Sequence, residues 1–247
     1  SRAFNTSKQL RFQKIHTQKS APKISLYIVW QKLIIAHSGF MGLFMEKSST
    51  ASTKIINSIN SYINQLHDHY SKLLILRVDL GYSKEHGKNI SLSDMKRDAK
   101  HLLDNRRSNH ALFEHQVGYV MKFEYTAEKG PHIHAIFAYD GQHVRKDAHL
   151  GDQIGSYWNE PITDGKGVYH NCNRDKKHYR HCGIGMVDHS DIEKRSALTN
   201  KVIPYLLKSE QSIDEIKSDK ERSVTRGVAP SVKSNAGRPR SKGTSYR

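Results

Sequence analysis

Two stretches joined by a tight turn constrain this chain more than anything else in it. From Gln116 to Tyr125, Val117, Tyr119, Met121 and Phe123 alternate with Gly118, Val120, Lys122 and Glu124, the period-two pattern of a strand. From His132 to Tyr139 the chain is again apolar and β-forming. Between them Lys129-Gly130-Pro131 supplies turn chemistry, and Asp140-Gly141 ends the second stretch. The reading is a β-hairpin.

The remaining elements can be arranged around that hairpin. Ile55, Ile56, Ile59, Ile63 and Leu66 recur at helical spacing and predict a helix over residues 51–70. Leu73 to Leu80 reads as a strand that Gly81 ends. Residues 91–107 read as a helix capped by Ser91 or Ser93, with Met95, Ala99, Leu102 and Leu103 on its buried face. A third helix is expected over 144–158, then a long polar loop over 162–182, and a short strand from Gly183 to Val187. A last helix over 192–211 is interrupted or restarted at Pro204, a residue suited to a first turn. This order predicts an α+β layer: a central antiparallel sheet with helices mainly on one face. The expected organisation is an N-terminal arm over 1–50, partly disordered, a folded domain over 51–216, and a basic flexible tail over 217–247.

Lys and Arg number 40 against 24 acidic residues, a formal charge of +16, which suits a polyanionic partner because cationic side chains displace counterions from phosphates. The two cysteines, Cys172 and Cys182, lie in one polar stretch and do not resemble a secreted disulfide scaffold, so a reducing, cytoplasmic setting is expected. No signal peptide is evident, and Gln31, Lys32 and His37 interrupt the apolar patches between Ile24 and Phe44, so no membrane partner is expected.

The chemistry centres on Pro131-His132-Ile133-His134-Ala135. Side chains alternate along a strand, so His132 and His134 point to one face, about 7 Å apart along it. Two imidazoles on a stiff strand can ligate one divalent cation, and a carboxylate is the usual third ligand. Glu124 on the preceding strand can supply it; Glu128, in the turn, is the alternative. A bland reading also stands, because the chain has 16 histidines and chance pairs are expected. Further on, Tyr205 and Lys208 are three residues apart and share a helix face. A tyrosine hydroxyl, with a pKa near 10, is a poor nucleophile at neutral pH unless an ammonium and a metal-polarised phosphate assist it. Taken alone this pair also fits a half-buried tyrosine beside a solvated lysine.

Together these features resemble the HUH (His-hydrophobe-His) endonuclease superfamily of rolling-circle replication initiators, relaxases and related transposases. The string from Lys122 to Phe137, then Gly183-Ile184-Gly185-Met186, then Tyr205-Leu206-Leu207-Lys208-Ser209-Glu210-Gln211, is similar to a prophage and inovirus branch of replication proteins, the YagK/YfjJ type. The resemblance spans about residues 71–212. It implies a ferredoxin-like or RNA-recognition-like core, and Mg²⁺ or Mn²⁺ held by His132, His134 and Glu124. It implies nicking of single-stranded origin DNA by Tyr205 through a 5′-phosphotyrosine link, with Lys208 stabilising charge. Asp79 falls where such proteins place a first motif, of mainly structural role. Tyr169 and Tyr179, in the polar loop, are alternative nucleophiles. No phosphate loop of the Gly-x4-Gly-Lys type is present, so a replication role would need a separate helicase.

Two features depart from the pattern. The loop holding Cys172, His178, His181 and Cys182 reads either as a zinc site or as a polar loop in which Arg174, Lys176, Lys177 and Arg180 touch DNA. Gly237-Arg238-Pro239-Arg240 resembles an AT-hook core, with Arg238 and Arg240 entering a minor groove, or belongs to a generic basic tail. The readings to separate are therefore a nicking enzyme, a non-catalytic DNA-binding regulator on the same fold, and a zinc-stabilised nucleic-acid-binding module.

Overall fold

The computed structural model describes residues 50–127, 130–207, 213 and 222–231. The N-terminal arm, Glu128, Lys208, Arg238 and Arg240 lie outside the described residues.

Helix α1 (Thr50–His69) leads into strand β1 (Lys72–Tyr82), a single turn α2 (Lys84–Gly87), helix α3 (Leu92–Asp104) and a further turn α4 (His110–Phe113). Strands β2 (Gln116–Thr126) and β3 (Gly130–Asp140) form the expected hairpin. Helix α5 (Asp147–Tyr157), β4 (Gly167–Asn171), β5 (Gly185–Asp188), α6 (Ile192–Ala197), α7 (Ile203–Leu206) and β6 (Val224–Arg226) complete the order. All pairings are antiparallel, in the order β4-β1-β3-β2-β6, with β5 also pairing β1. The chain is thus α+β on a six-stranded antiparallel sheet.

Local chemistry explains most boundaries. Ser91 caps α3 in a reciprocal capping box with Asp94, which satisfies orphan donors at the helix start. Pro204 sits at the start of α7, where its missing N–H costs least, and a π-helical turn (Leu198–Val202) joins α6 to α7. Gly81 does not end β1, which runs on to Tyr82. The stretch expected as loop contains β4, and the stretch expected as tail contributes β6 on the free edge of β2.

Helices cover both faces of the sheet, rather than mainly one. Leu74, Leu76, Val78, Leu80, Ile133, Ala135 and Phe137 pack with Met95, Ala99, Leu102, Ile154 and Trp158 of the α3 and α5 side. Leu73, Ile75, Val120, Ile136 and Ala138 pack with Ile59, Tyr62, Ile63 and Leu66 of α1 and with Leu198, Ile203 and Leu206 of the α6–α7 run. The physical sign was the unbroken apolar run Leu73-Leu74-Ile75-Leu76: a strand buried on both sides loses its polar alternation. Among the described residues no helix is long and apolar enough to cross a membrane.

The α6–α7 run is locked down backbone to backbone. A Cβ on Gly183 would lie 2.4 Å from the backbone nitrogen of Leu198. Gly183→Ala is therefore expected to destabilise the fold by about 1–3 kcal/mol, as overpacking does, read as a fall of roughly 2–4 °C in melting temperature per kcal/mol. An unchanged melting temperature would show that this packing is loose.

Candidate metal centre

Four strands place the site. Hairpin register sets Glu124 directly opposite His132, and Lys122 opposite His134. On the other side of β3, Asp79 of β1 is opposite His134, and His170 of β4 is opposite Asp79. The polar side chains of this row and the next share the face covered by α1 and α7, because Ile136 and Ala138, in phase with the histidines, pack there.

The structure brings together the three sequence-predicted ligands. His134 Nε2 lies 3.1 Å and His132 Nε2 3.3 Å from the same Glu124 oxygen, Oε2. Among the described residues this is the one set of three or more His, Cys, Asp or Glu whose ligand atoms converge, all within 4.8 Å. Both imidazoles are fixed from behind. His134 Nδ1 donates to Asp79 Oδ1 at 2.7 Å, and His132 Nδ1 to the Gly130 carbonyl at 3.1 Å. With each Nδ1 so occupied, each Nε2 is the atom left for a cation, as in carboxylate–histidine–metal arrangements. Ligands bonded at about 2.0–2.2 Å and at right angles stand about 3 Å apart, so the N···O separations match adjacent corners of a metal polyhedron. Gly130 is required here: its φ is +70°, and a Cβ would lie 2.6 Å from the Gly87 carbonyl oxygen.

Two of the triad, His132 and Glu124, are buried, as is Asp79 behind them, while His134 keeps 15% of its side chain accessible. Burial disfavours an imidazolium at His134, but the Asp79 and Glu124 carboxylates outweigh it and raise its pKa to about 9. Burial also opposes ionisation of Glu124, yet hydrogen bonds from His132 and His134 lower it to about 2. Asp79, buried but flanked by His134 and Arg77, is held well below the usual carboxylate range. In the metal-free protein, Glu124 stabilises the fold above about 4.5, and that contribution is lost as pH falls through about 2. His134 contributes below about 6.5, and its share is lost as pH rises through about 9.

A cation held by the triad would therefore compete with the proton for His134 Nε2. From about pH 6 to pH 8 the apparent Mn²⁺ affinity is expected to rise about tenfold per unit for the one proton displaced. Calorimetric titration in buffers of different ionisation heat counts that proton. A flat affinity over the range contradicts His134 as a ligand.

Tyr205 projects from α7 and is 44% exposed, while Ile203 and Leu206 on either side of it are buried and anchor the helix. Its ring lies 5.1 Å from the Arg77 guanidinium carbon, and Arg77 Nη2 lies 3.5 Å from Asp79 Oδ2. A continuous line of contacts thus runs from Tyr205 through Arg77 and Asp79 to His134. The other two tyrosines fit less well. Tyr169 is opposite Leu80, and its ring rests against Gly155 of α5 on the far face. Tyr179 is half-buried, and burial beside Cys172 pushes its phenol pKa upward.

The loop residues separate in the same way. Cys172 is buried, its sulfur 3.9 Å from Asp79 Oδ2, and Cys182 donates to the Ile184 carbonyl. With His178 and His181 they do not form a converging set. Arg174 is paired with Asp152 and Lys176 with Asp147, whereas Lys177 and Arg180 are exposed. Arg77 was not singled out from sequence, although a charged pair two residues apart in an apolar strand marks one polar face.

A family model for the YagK/YfjJ C-terminal domain matches residues 39–220, well over half of the chain. No curated protein and no solved structure matches. With the hairpin, the triad and this match in agreement, the chain belongs to the YagK/YfjJ C-terminal domain family.

Proposed function

We propose that this domain is a metal-dependent, tyrosine-using endonuclease of the HUH kind, which nicks and rejoins single-stranded DNA to start rolling-circle replication. The observation that carries the reading is the convergence of His132 Nε2, His134 Nε2 and Glu124 Oε2 on the same sheet face as an exposed tyrosine. The strongly basic composition supports a nucleic-acid substrate.

When bound, a divalent cation would polarise a phosphodiester oxygen as a Lewis acid. His132, His134 and Glu124 would hold it, and their two nitrogens favour Mn²⁺ over the oxygen-seeking Mg²⁺. Asp79 and the Gly130 carbonyl keep both imidazoles aimed. Tyr205 Oη attacks phosphorus, forming the Oη–P bond as the P–O3′ bond breaks. The phenol proton passes to solvent, and the departing 3′ oxygen takes one up as a hydroxyl. The reverse attack by a 3′-hydroxyl rejoins the strand. That hydroxyl would prime a polymerase, and a separate helicase would open the duplex.

The test incubates full-length protein with end-labelled single-stranded origin DNA and Mn²⁺, then looks for an adduct that survives denaturant. A covalent band dependent on metal supports the reading. Binding of DNA with no adduct under any divalent cation would leave a DNA-binding regulator instead.

A further inference from the structure

We infer that Arg77 is the phosphate-holding residue of this site, taking the phosphodiester between the metal triad and Tyr205. The inference rests on the nicking reading and deepens it by naming the group that receives the substrate's charge. Arg77 projects from β1 on the site face, with its side chain only 13% accessible. It stands two residues from Asp79, about 7 Å along the strand. Its backbone is clamped: the N–H donates to Asn173 Oδ1 at 2.8 Å, and the carbonyl accepts from the Cys172 N–H at 3.0 Å.

The guanidinium, by contrast, is under-used. It carries five donors in a planar fork. Among the described residues its one ion pair, to Asp79, is long at 3.5 Å, and its buried Nε has no hydrogen-bond partner. Buried donors without partners are rare in folded proteins, and leaving one unmet is costly. Its central carbon stands over the Tyr205 ring, 5.1 Å from the centroid. Asp79 meets little of this demand as it stands: its Oδ1 is engaged by His134, and its Oδ2 stays 3.5 Å from Arg77 Nη2.

A phosphodiester meets this unmet demand. Two of its oxygens can pair with a guanidinium fork through charge-assisted hydrogen bonds. Its place follows from the chain of contacts. A phosphodiester that reaches from Tyr205 to the His132–His134–Glu124 triad would follow the line of contacts through Arg77 and Asp79. An anionic oxygen is repelled by Asp79 and attracted by Arg77, so the guanidinium fixes where the phosphate sits and offsets charge as the Oη–P bond forms.

The test compares full-length wild type with Arg77→Met, Arg77→Lys and Arg77→Gln, each loaded with Mn²⁺ and given a labelled single-stranded oligonucleotide. Loss of one preorganised donor group is expected to slow adduct formation by about 10²–10³-fold in Arg77→Met. Oligonucleotide affinity should change little, and Mn²⁺ affinity should hold. Arg77→Lys should lose only about tenfold, since it keeps the charge but not the fork. Added methylguanidinium should restore rate to Arg77→Met and not to wild type, a rescue that a merely structural role would not give. Arg77→Gln serves if the methionine variant does not fold.

A second measurement needs no cleavage: the melting temperature in inorganic phosphate against chloride at equal ionic strength. Wild type and the control Lys100→Met should gain stability in phosphate, and Arg77→Met should gain measurably less. Wild-type adduct rates in Arg77→Met, or equal phosphate gains, would overturn the inference. Absence of any wild-type adduct would remove the nicking reading, while the phosphate comparison would still decide the role of Arg77.

Discussion

Tyr205→Phe is expected to abolish the covalent DNA adduct and to lower nicking at least about 10³-fold, as loss of a nucleophile does. Single-stranded DNA affinity should stay within about a factor of five, because one hydroxyl hydrogen bond contributes roughly 1 kcal/mol. Stability should hardly move. The ring is 44% exposed, and α7 is anchored by Ile203 and Leu206 rather than by Tyr205. Binding assays and denaturing gels on the same preparation separate these effects. If the phenylalanine variant still forms adduct, Tyr205 is not the nucleophile. Tyr179 would be the next to substitute, despite its half-buried phenol, hydrogen-bonded to Cys172.

The second large effect concerns the triad. His134→Ala should remove measurable Mn²⁺ binding and also destabilise the metal-free fold at neutral pH. Asp79 and Glu124, each under a tenth exposed, would lose their shared cationic partner and face each other as buried carboxylates. Breaking a buried pair in this way costs about 3–5 kcal/mol. The deficit should shrink in acid as the carboxylates protonate. Asp79→Asn is a graded comparison: the amide oxygen can still accept from His134 Nδ1, but without charge. Metal affinity is then expected to fall by about 10–100-fold, the usual cost of losing an orienting carboxylate. Fluorescence or calorimetric Mn²⁺ titration beside thermal melts reads both quantities. Full metal affinity in His134→Ala would dismantle the proposed centre.

Those two experiments probe different kinds of information. The pairing of His132 and His134 was legible because strand periodicity is a local rule, and Glu124 because a hairpin brings its two strands together within a few residues. The capping box at Ser91 and the restart at Pro204 were legible for the same reason: each depends on neighbours one turn away. Gly81 misled because glycine is a frequent terminator, yet here it sits inside a central strand whose neighbours on both sides hold it in register. The polar stretch around Val168 hid β4 because an edge strand need not look apolar.

By itself the sequence determined the His132–His134 pair with Glu124 as its foremost carboxylate candidate, the hairpin that presents them, and the α+β class, since each follows from spacing within a short segment. Tertiary structure alone decided that both sheet faces are covered and that Asp79, 55 residues from His134, aims its imidazole. It alone also set Arg77 between that pair and Tyr205. The physical reason is that strand order in an antiparallel sheet is fixed by which faces can be buried together. That balance is struck over the whole core, and no segment carries it alone.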